Sequence, residues 1–153
     1  MKIAIRQCSE ADIPAMLEIE CASFPDPWTA GMFRSALAQK GVHLYAATDE
    51  LGNIIGYAEL YDDGYDCVVI SNIAVAANHR RRGVGSELLK HAERQTSELI
   101  RPCLTLEVRA SNLAAIRLYE KFGFRTEGSR PGYYLHPRED AEIMSKYYDY
   151  SVC

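Results

Sequence analysis

Hydrophobic and polar residues change their period several times along the chain, and each change marks an element. The segment "KIAIRQ" alternates and predicts a short strand. From Ser9 the spacing becomes helical: Ile13, Leu17 and Ala22, with Met16 and Ile19 alongside, share one face. Ser9 is placed to cap that helix, with Asp12 three residues on as a capping-box variant. "PDPW" breaks the pattern, and Thr29 is placed to cap a second helix, "AGMFRSALAQ". "VHLYAAT" and "NIIGYAELYD" read as strands joined by "DELGN", whose Gly and Asn suit a hairpin. "YDCVVISNIAV" is a third strand after "DDG", and such tight connections predict antiparallel pairing. A helix from Val84 to about Ile100 follows, with Leu88, Leu89, Ala92 and Leu99 turned inward. "CLTLEVRA" is a strand reached through that helix, so it is expected to run parallel to its predecessor. "NLAAIRLYEKFGF" reads as a helix ended by Gly123, and "DAEIMSKYY" as the final strand. The pattern contains no repeat, low-complexity tract or linker. It predicts one α/β domain over residues 1–153, with a mixed central sheet flanked by helices.

Composition narrows the function classes. The chain has 153 residues, enough to bury its own core, and is 48% hydrophobic and 25% charged. No apolar run approaches the roughly 18–20 residues of a membrane span, and the N-terminus turns polar too soon for a signal peptide. The formal net charge of −4 argues against nucleic-acid binding through overall charge and weakly favours a basic partner. Five cysteines (Cys8, Cys21, Cys67, Cys103 and Cys153) form an odd set without a CxxC pair. That set argues against a disulfide framework or zinc site and for a reducing cytoplasm. The four histidines show no metal-ligand spacing, so no metal is expected.

The charge that matters locally is "NHRRRGVGSELL", Asn78 to Leu89, lying between an apolar strand and an amphipathic helix. A helix N-terminus presents unpaired N–H groups and the positive end of the helix dipole. Glycines let that backbone approach a phosphate closely, and arginines add bidentate bonds to the same oxygens. The stretch therefore reads as a pyrophosphate seat, or equally as a solvated arginine run before an ordinary helix. It is no Walker loop, since Gly-Lys-Ser/Thr is absent, and no dinucleotide fingerprint, since the third glycine is missing.

"RRRGVGSELL" resembles the Arg/Gln-x-x-Gly-x-Gly/Ala motif of the GNAT family of N-acetyltransferases, with Arg80, Gly83 and Gly85 in the defining places. "NIAV" before it looks like the splayed strand end of that family, "LEVRASNLAAIRLYEKFGF" after it is similar to its following strand and helix, and the order of elements matches from about Arg6 to Lys146. More specifically, "FPDPW", "LEVRASN" and "GYYLHPREDAEIM" resemble the ribosomal-protein alanine N-acetyltransferase branch. The resemblance implies the GNAT fold and acetyl-CoA as cofactor. It implies a pyrophosphate on Arg81, Arg82, Gly83, Val84, Gly85 and Ser86, and a pantetheine arm along Ile73, Ala74 and Val75. Asn112 and Tyr119 match positions near the thioester, and Trp28, Tyr133 and Tyr134 flank the family's peptide groove. "DDGYD" (Asp62 to Asp66) and the spacing of "LHPR" depart from that branch, and both are expected near the substrate.

Acetyl transfer to an amine needs a neutral amine, a stabilised oxyanion and a proton for the departing thiolate. An α-amine has a pKa of about 7.7–8.0 against about 10.4 for lysine, so it needs little help near neutral pH. Glu107 lies across the strand from Leu104, Leu106 and Val108, where an ion pair or an exposed carboxylate is the plain alternative to catalysis. Tyr119 falls one turn after Ile116 and one before Phe122, spacing that by itself favours a core tyrosine over an acid. The resemblance implies that Glu107 is the general base and Tyr119 the general acid. No cysteine nucleophile is required, and a ping-pong route through Cys103 is disfavoured. The expected acceptor is the N-terminal alanine of a basic ribosomal small-subunit protein, acted on by a monomer or weak dimer. A lysine side chain, a small-molecule amine or a non-catalytic acyl-CoA-binding module are the alternatives.

Overall fold

The computed structural model describes residues 1–151. Its centre is a seven-stranded sheet with strands in the order β1-β2-β3-β4-β5-β7-β6. The chain runs β1 (Ala4–Gln7), α1 (Ile13–Ser23), α2 (Ala30–Ala38), β2 (Val42–Thr48), β3 (Ile54–Asp62), β4 (Cys67–Val75), α3 (Val84–Glu98), β5 (Cys103–Arg109), α4 (Leu113–Lys121), β6 (Arg125–Leu135) and β7 (Arg138–Tyr147). The first four strands pair antiparallel, and β4 pairs with β5 in parallel across the α3 crossover, as expected.

Local chemistry sets the helix entries. Ser9 and Asp12 form the capping box at a 3-10 turn leading into α1. The Asp12 carboxylate accepts two bonds from Arg6 at 2.8 and 2.9 Å and one from the Ser9 amide at 2.8 Å. The Arg6 bonds, with that amide, hold the carboxyl down at about 2 against burial. Thr29 caps α2 by accepting from the Met32 amide at 3.2 Å. The buried face of α1 is rotated from the expected one: Ile13, Met16, Ile19 and Glu20 point inward and Ala22 is exposed.

The helices cover opposite faces. On one, α1 and α2 pack Met16, Ile19 and Phe33 against Leu44, Ala46 and Tyr57. On the other, Val84 and Leu88 of α3 meet Ile55 and Ala58, while Leu89, Ala92 and Tyr119 join Leu104, Leu106 and Val108. Burying each such aliphatic side chain contributes roughly 1.5–3 kcal/mol. Gly56 permits the close fit of α3: a Cβ there would lie 3.0 Å from the Ala74 carbonyl oxygen and 3.0 Å from a Val84 methyl. The missing side chain thus fixes where α3 begins.

The parallel pair does not run its full length. It begins at Cys67↔Cys103 and ends at Ile70↔Leu106. At that point β4 carries a bulge, because Glu59↔Asn72 is followed by Leu60↔Ile70 and Ser71 has no partner on β3. A bulge bends its strand and raises the local twist. The ends of β4 and β5 therefore part, and a gap opens through the sheet.

Two expectations need correction. No strand was expected between Gly123 and Asp140, yet β6 pairs antiparallel with β7 and forms the sheet edge. It is exposed at nearly every residue, contains Gly128, Pro131 and Gly132, and shifts register twice, so it shows no alternation to read. Cys67 and Cys103 are joined in a disulfide, although the odd cysteine count argued against one. They are opposite residues on the first rung of the parallel pair, a proximity hidden by 36 residues of sequence separation. The bridge removes the argument from unpaired thiols for a reducing compartment, and it leaves Cys103 no free thiol for a ping-pong route. Cys8 and Cys21 are free, and Cys153 lies outside the described residues. No helix among the described residues is long and apolar enough to cross a membrane.

Candidate active site

A cavity of about 870 Å³ occupies the gap between the diverging ends of β4 and β5. The α1–α2 loop supplies one wall through Phe24 and Trp28, and the β6–β7 hairpin supplies the other through Tyr133 and Tyr134. Ile73 of β4, Glu107 of β5, Asn112 and Tyr119 also line it. The walls are tied together by His136 and Asp26, 3.1 Å apart. Arg109 braces the hairpin: it donates to the Pro137 and His136 carbonyls at 3.0 and 3.2 Å and lies 4.3 Å above the Tyr134 ring.

Alternation along β5 decides which way Glu107 points. Leu104, Leu106 and Val108 fill the core beneath α3 and α4, which turns Glu107 to the opposite face and into the cavity. Its Oε1 accepts from Arg130 Nε at 2.8 Å, and its buried Oε2 has no hydrogen-bond partner among the described residues. An orphaned carboxylate oxygen on a cavity wall is a ready proton acceptor. Tyr119 reaches the same cavity from the α4 side, its ring packed near Phe124 with centroids 5.9 Å apart. Burial, with Tyr134 nearby, pushes the Tyr119 phenol up to about 12, so it keeps its proton at neutral pH. Burial raises Tyr134 to about 12 as well. Burial and the Glu107 carboxylate push Tyr133 upward.

Asn112 caps α4, its side-chain oxygen accepting from the Ala115 amide at 3.2 Å. The other expected cofactor residues lie outside the cavity lining. Ala74 and Val84 are buried in the core, so only their backbone atoms are available to a ligand. Val75 offers its carbonyl to Arg80 Nε at 3.2 Å, which ties the end of β4 to the loop before α3. In that loop Arg81 and Gly83 both adopt left-handed backbone, at φ 64° and 86°. The turn leaves the amides of Val84, Gly85 and Ser86 at the head of a 15-residue helix. A Cβ on Gly83 would meet nothing within 4 Å, and one on Gly85 would lie 3.2 Å from Leu118. The first glycine leaves open space above the turn, and the second lets α3 and α4 approach. Arg81 and Arg82 are exposed and make no ion pair among the described residues.

The expectation that Asp62 to Asp66 lies near the substrate is corrected. That turn precedes Cys67, at the end of β4 remote from the gap, and Asp62 is paired with Arg101 at 2.8 Å. The tight β3–β4 connection puts the turn at the closed end of the parallel pair. Leu135 and Pro137 of "LHPR", by contrast, do line the cavity.

Three further site residues carry little sequence signal. Glu20 looks like a solvent-facing position on an amphipathic helix, yet it is 1% exposed. It accepts from the Tyr57 hydroxyl, from Asn72 Nδ2 at 2.8 Å and from the Trp28 amide at 2.8 Å, which seats Trp28. Arg109 lies beside Glu107 in "LEVRASN", and Arg130 lies on the unanticipated β6. Only the segment containing Arg109 could have been found from the motif.

Residues 13–124 match the sequence model of the acetyltransferase (GNAT) family. The ribosomal protein bS18-alanine N-acetyltransferase of Escherichia coli (strain K12) is 34% identical over 143 residues, covering 92% of this chain and 95% of its own. A Bacillus subtilis (strain 168) relative, provisionally given the same designation, is 36% identical over 146 residues with 94% of each chain covered. The crystal structure of the ribosomal-protein-S18-alanine N-acetyltransferase from Escherichia coli superposes with a TM-score of 0.85 at 30% identity over 99% of each chain.

Proposed function

The chain belongs to the acetyltransferase (GNAT) family, and from that premise we propose that it acetylates the N-terminal α-amine of a ribosomal small-subunit protein beginning with alanine. The observation that carries the reading is the convergence of an unpartnered Glu107 oxygen and a protonated Tyr119 on one cavity from opposite sides of the sheet. The acceptor in the relatives' names supports an α-amine of a protein as the nucleophile.

The residues fit acetyl-CoA. The three amides at the head of α3, the open space over Gly83 and the unpaired Arg81 and Arg82 suit a pyrophosphate. The backbone of Ile73, Ala74 and Val75 lies beyond the last β4–β5 rung, free of β5, and suits the amides of a pantetheine arm. Acetyl-CoA, when bound, supplies a thioester carbonyl for the amine to attack and a thiolate that leaves.

Glu107 receives a proton from the acceptor ammonium at Oε2, directly or through one water, and so frees the lone pair that attacks. Trp28, Tyr133 and Tyr134 hold the acceptor's first residues between the two walls, and Asn112 bounds the end towards the thioester. The attacking nitrogen gives up its second proton to water, Tyr119 gives its hydroxyl proton to the departing sulfur, and afterwards Tyr119 regains a proton from solvent and Glu107 returns its own to solvent. Arg130 steadies Glu107 from the rim.

The deciding experiment is CoA release from acetyl-CoA with two short basic peptides. One has a free N-terminal alanine and no lysine; the other has a blocked N-terminus and an internal lysine. Release with the first alone is expected. Release with the second alone would transfer the assignment to a lysine acceptor. Silence with both would refute a protein acceptor.

A further inference from the structure

Beside the main cavity lies a second one of about 500 Å³, between α2 and the sheet. The two share Trp28. The second is lined by Thr29, Gly31 and Met32 near the start of α2, by Ser35 and Gln39 further along, and by Glu59 of β3. Glu59 is 6% exposed and its Oε2 has no hydrogen-bond partner among the described residues. It also makes no ion pair among them. A buried carboxylate without a partner is costly, and such a group in a folded protein calls for an explanation.

Its neighbour Glu20 offers the contrast. Tyr57, Asn72 and the Trp28 amide satisfy the Glu20 carboxylate, so that group has no need of a ligand. Glu59 sits next to this network with the same carboxyl group and none of those bonds. Burial, reinforced by Glu20, holds the Glu59 carboxyl up at about 7. A cation entering the second cavity would find an acceptor that no protein group contests.

We propose that Glu59 and the second cavity form a subsite for a basic side chain of the acceptor polypeptide, a few residues in from the amine that is acetylated. This rests on the assignment of a polypeptide acceptor above. Glu59 and Glu107 lie on the same face of the sheet: Tyr57, two residues before Glu59, packs under α1 and α2, and Glu107 is turned away from α3 and α4. Glu59 is paired with Asn72, and β4 pairs with β5 up to Ile70↔Leu106, so the two carboxylates stand two strands apart at nearly the same level. Two strand spacings are about 10 Å, and an extended peptide advances about 3.3 Å per residue. A basic residue at the second to fourth position of the acceptor spans that distance, with Trp28 lying between the two subsites.

The test uses peptides with a free N-terminal alanine, each carrying one arginine at position 2, 3 or 4, and matched peptides with the neutral isostere citrulline there. Trp28 is the sole tryptophan, so its fluorescence reports peptide binding to the CoA-loaded protein independently of turnover. At one of the three positions arginine should bind about ten-fold more tightly than citrulline, the scale of a charge-assisted hydrogen bond. In Glu59→Gln, which keeps the shape and removes the charge, that ratio should fall to about one. Equal binding of arginine and citrulline peptides at every position, or a ratio that survives Glu59→Gln, overturns the subsite. An arginine preference that depends on Glu59 but comes without CoA release would support the subsite and refute the catalytic assignment instead.

Discussion

Replacing Tyr119 with phenylalanine removes one oxygen and keeps the ring that packs near Phe124 at 5.9 Å between centroids. The residue is 6% exposed and its volume is retained, so folding stability should change by no more than about 1 kcal/mol. What is lost, on the proposed mechanism, is the proton donor on the cavity lining. General acid catalysis contributes about 10²–10⁴-fold, or roughly 2.7–5.5 kcal/mol of barrier, so kcat for the alanine peptide should fall within that range. KM for acetyl-CoA should move less than about three-fold, because the proposed phosphate seat lies on α3, away from Tyr119. The pH profile separates an acid from a packing residue. With the phenol held at about 12, the donor stays protonated throughout the working range. Activity should therefore rise as the acceptor amine deprotonates near pH 8 and stay level to about pH 9.5. CoA release measured continuously from pH 6 to 9.5 gives both numbers. A variant that keeps more than a third of the wild-type kcat would refute the assignment of Tyr119 as the acid.

Glu107→Gln should lower kcat by about 10²-fold or more at pH 7, and raising the pH towards 9 should recover part of it as the α-amine ionises without help; equal losses at both pH values would contradict a base. Gly56→Val would drive a side chain into the Ala74 carbonyl and Val84, so a loss of about 1–3 kcal/mol in urea unfolding and a raised KM for acetyl-CoA are expected. Glu59 should make stability depend on pH. Its carboxyl is held at about 7, well above the unfolded value, so the native state binds the extra proton between about pH 4.3 and 7. Its contribution therefore falls as pH rises through that window. Glu59→Gln should be more stable than wild type by roughly 1–3 kcal/mol at pH 8, allowing for solvent screening, and should match it near pH 4.5 in parallel denaturation curves.

The elements legible in the sequence were those whose chemistry is local. Asp12 and Thr29 each accept from a backbone amide three residues away, as the spacing implied. Alternation in "CLTLEVRA" placed Glu107 on the face away from the α3 and α4 core, because that core needs Leu104, Leu106 and Val108. Relations between distant segments were not legible. The bulge at Ser71 is a mismatch of register between β3 and β4 that the residues themselves do not announce, and only the resemblance of "NIAV" to a splayed strand end pointed to where β4 leaves β5. Glu20 was obscured by its type, since a helix carboxylate is ordinarily solvated until Tyr57, Asn72 and Trp28 converge on it. β6 escaped because an edge strand with both faces wet needs no apolar alternation. The face of α1 was turned by burying Glu20 in place of Ala22, so the departure from amphipathic spacing belongs to the site.

The gap between β4 and β5 gives the site two doors. The head of α3, the proposed phosphate seat, covers one face of the sheet, and Trp28 and the tyrosine pair lie on the other. Neither reactant has to pass through the other's entrance. On the proposed assignment both are resident together, and either can arrive first. Initial-rate plots at several fixed acceptor concentrations should therefore intersect, as for a ternary complex. Acetylated peptide and CoA can also leave independently, so a slow step in releasing one need not trap the other. An inhibitor joining a peptide N-terminus to the sulfur of CoA would occupy both doors at once, gaining from the bend in β4 an effective concentration that neither half has alone.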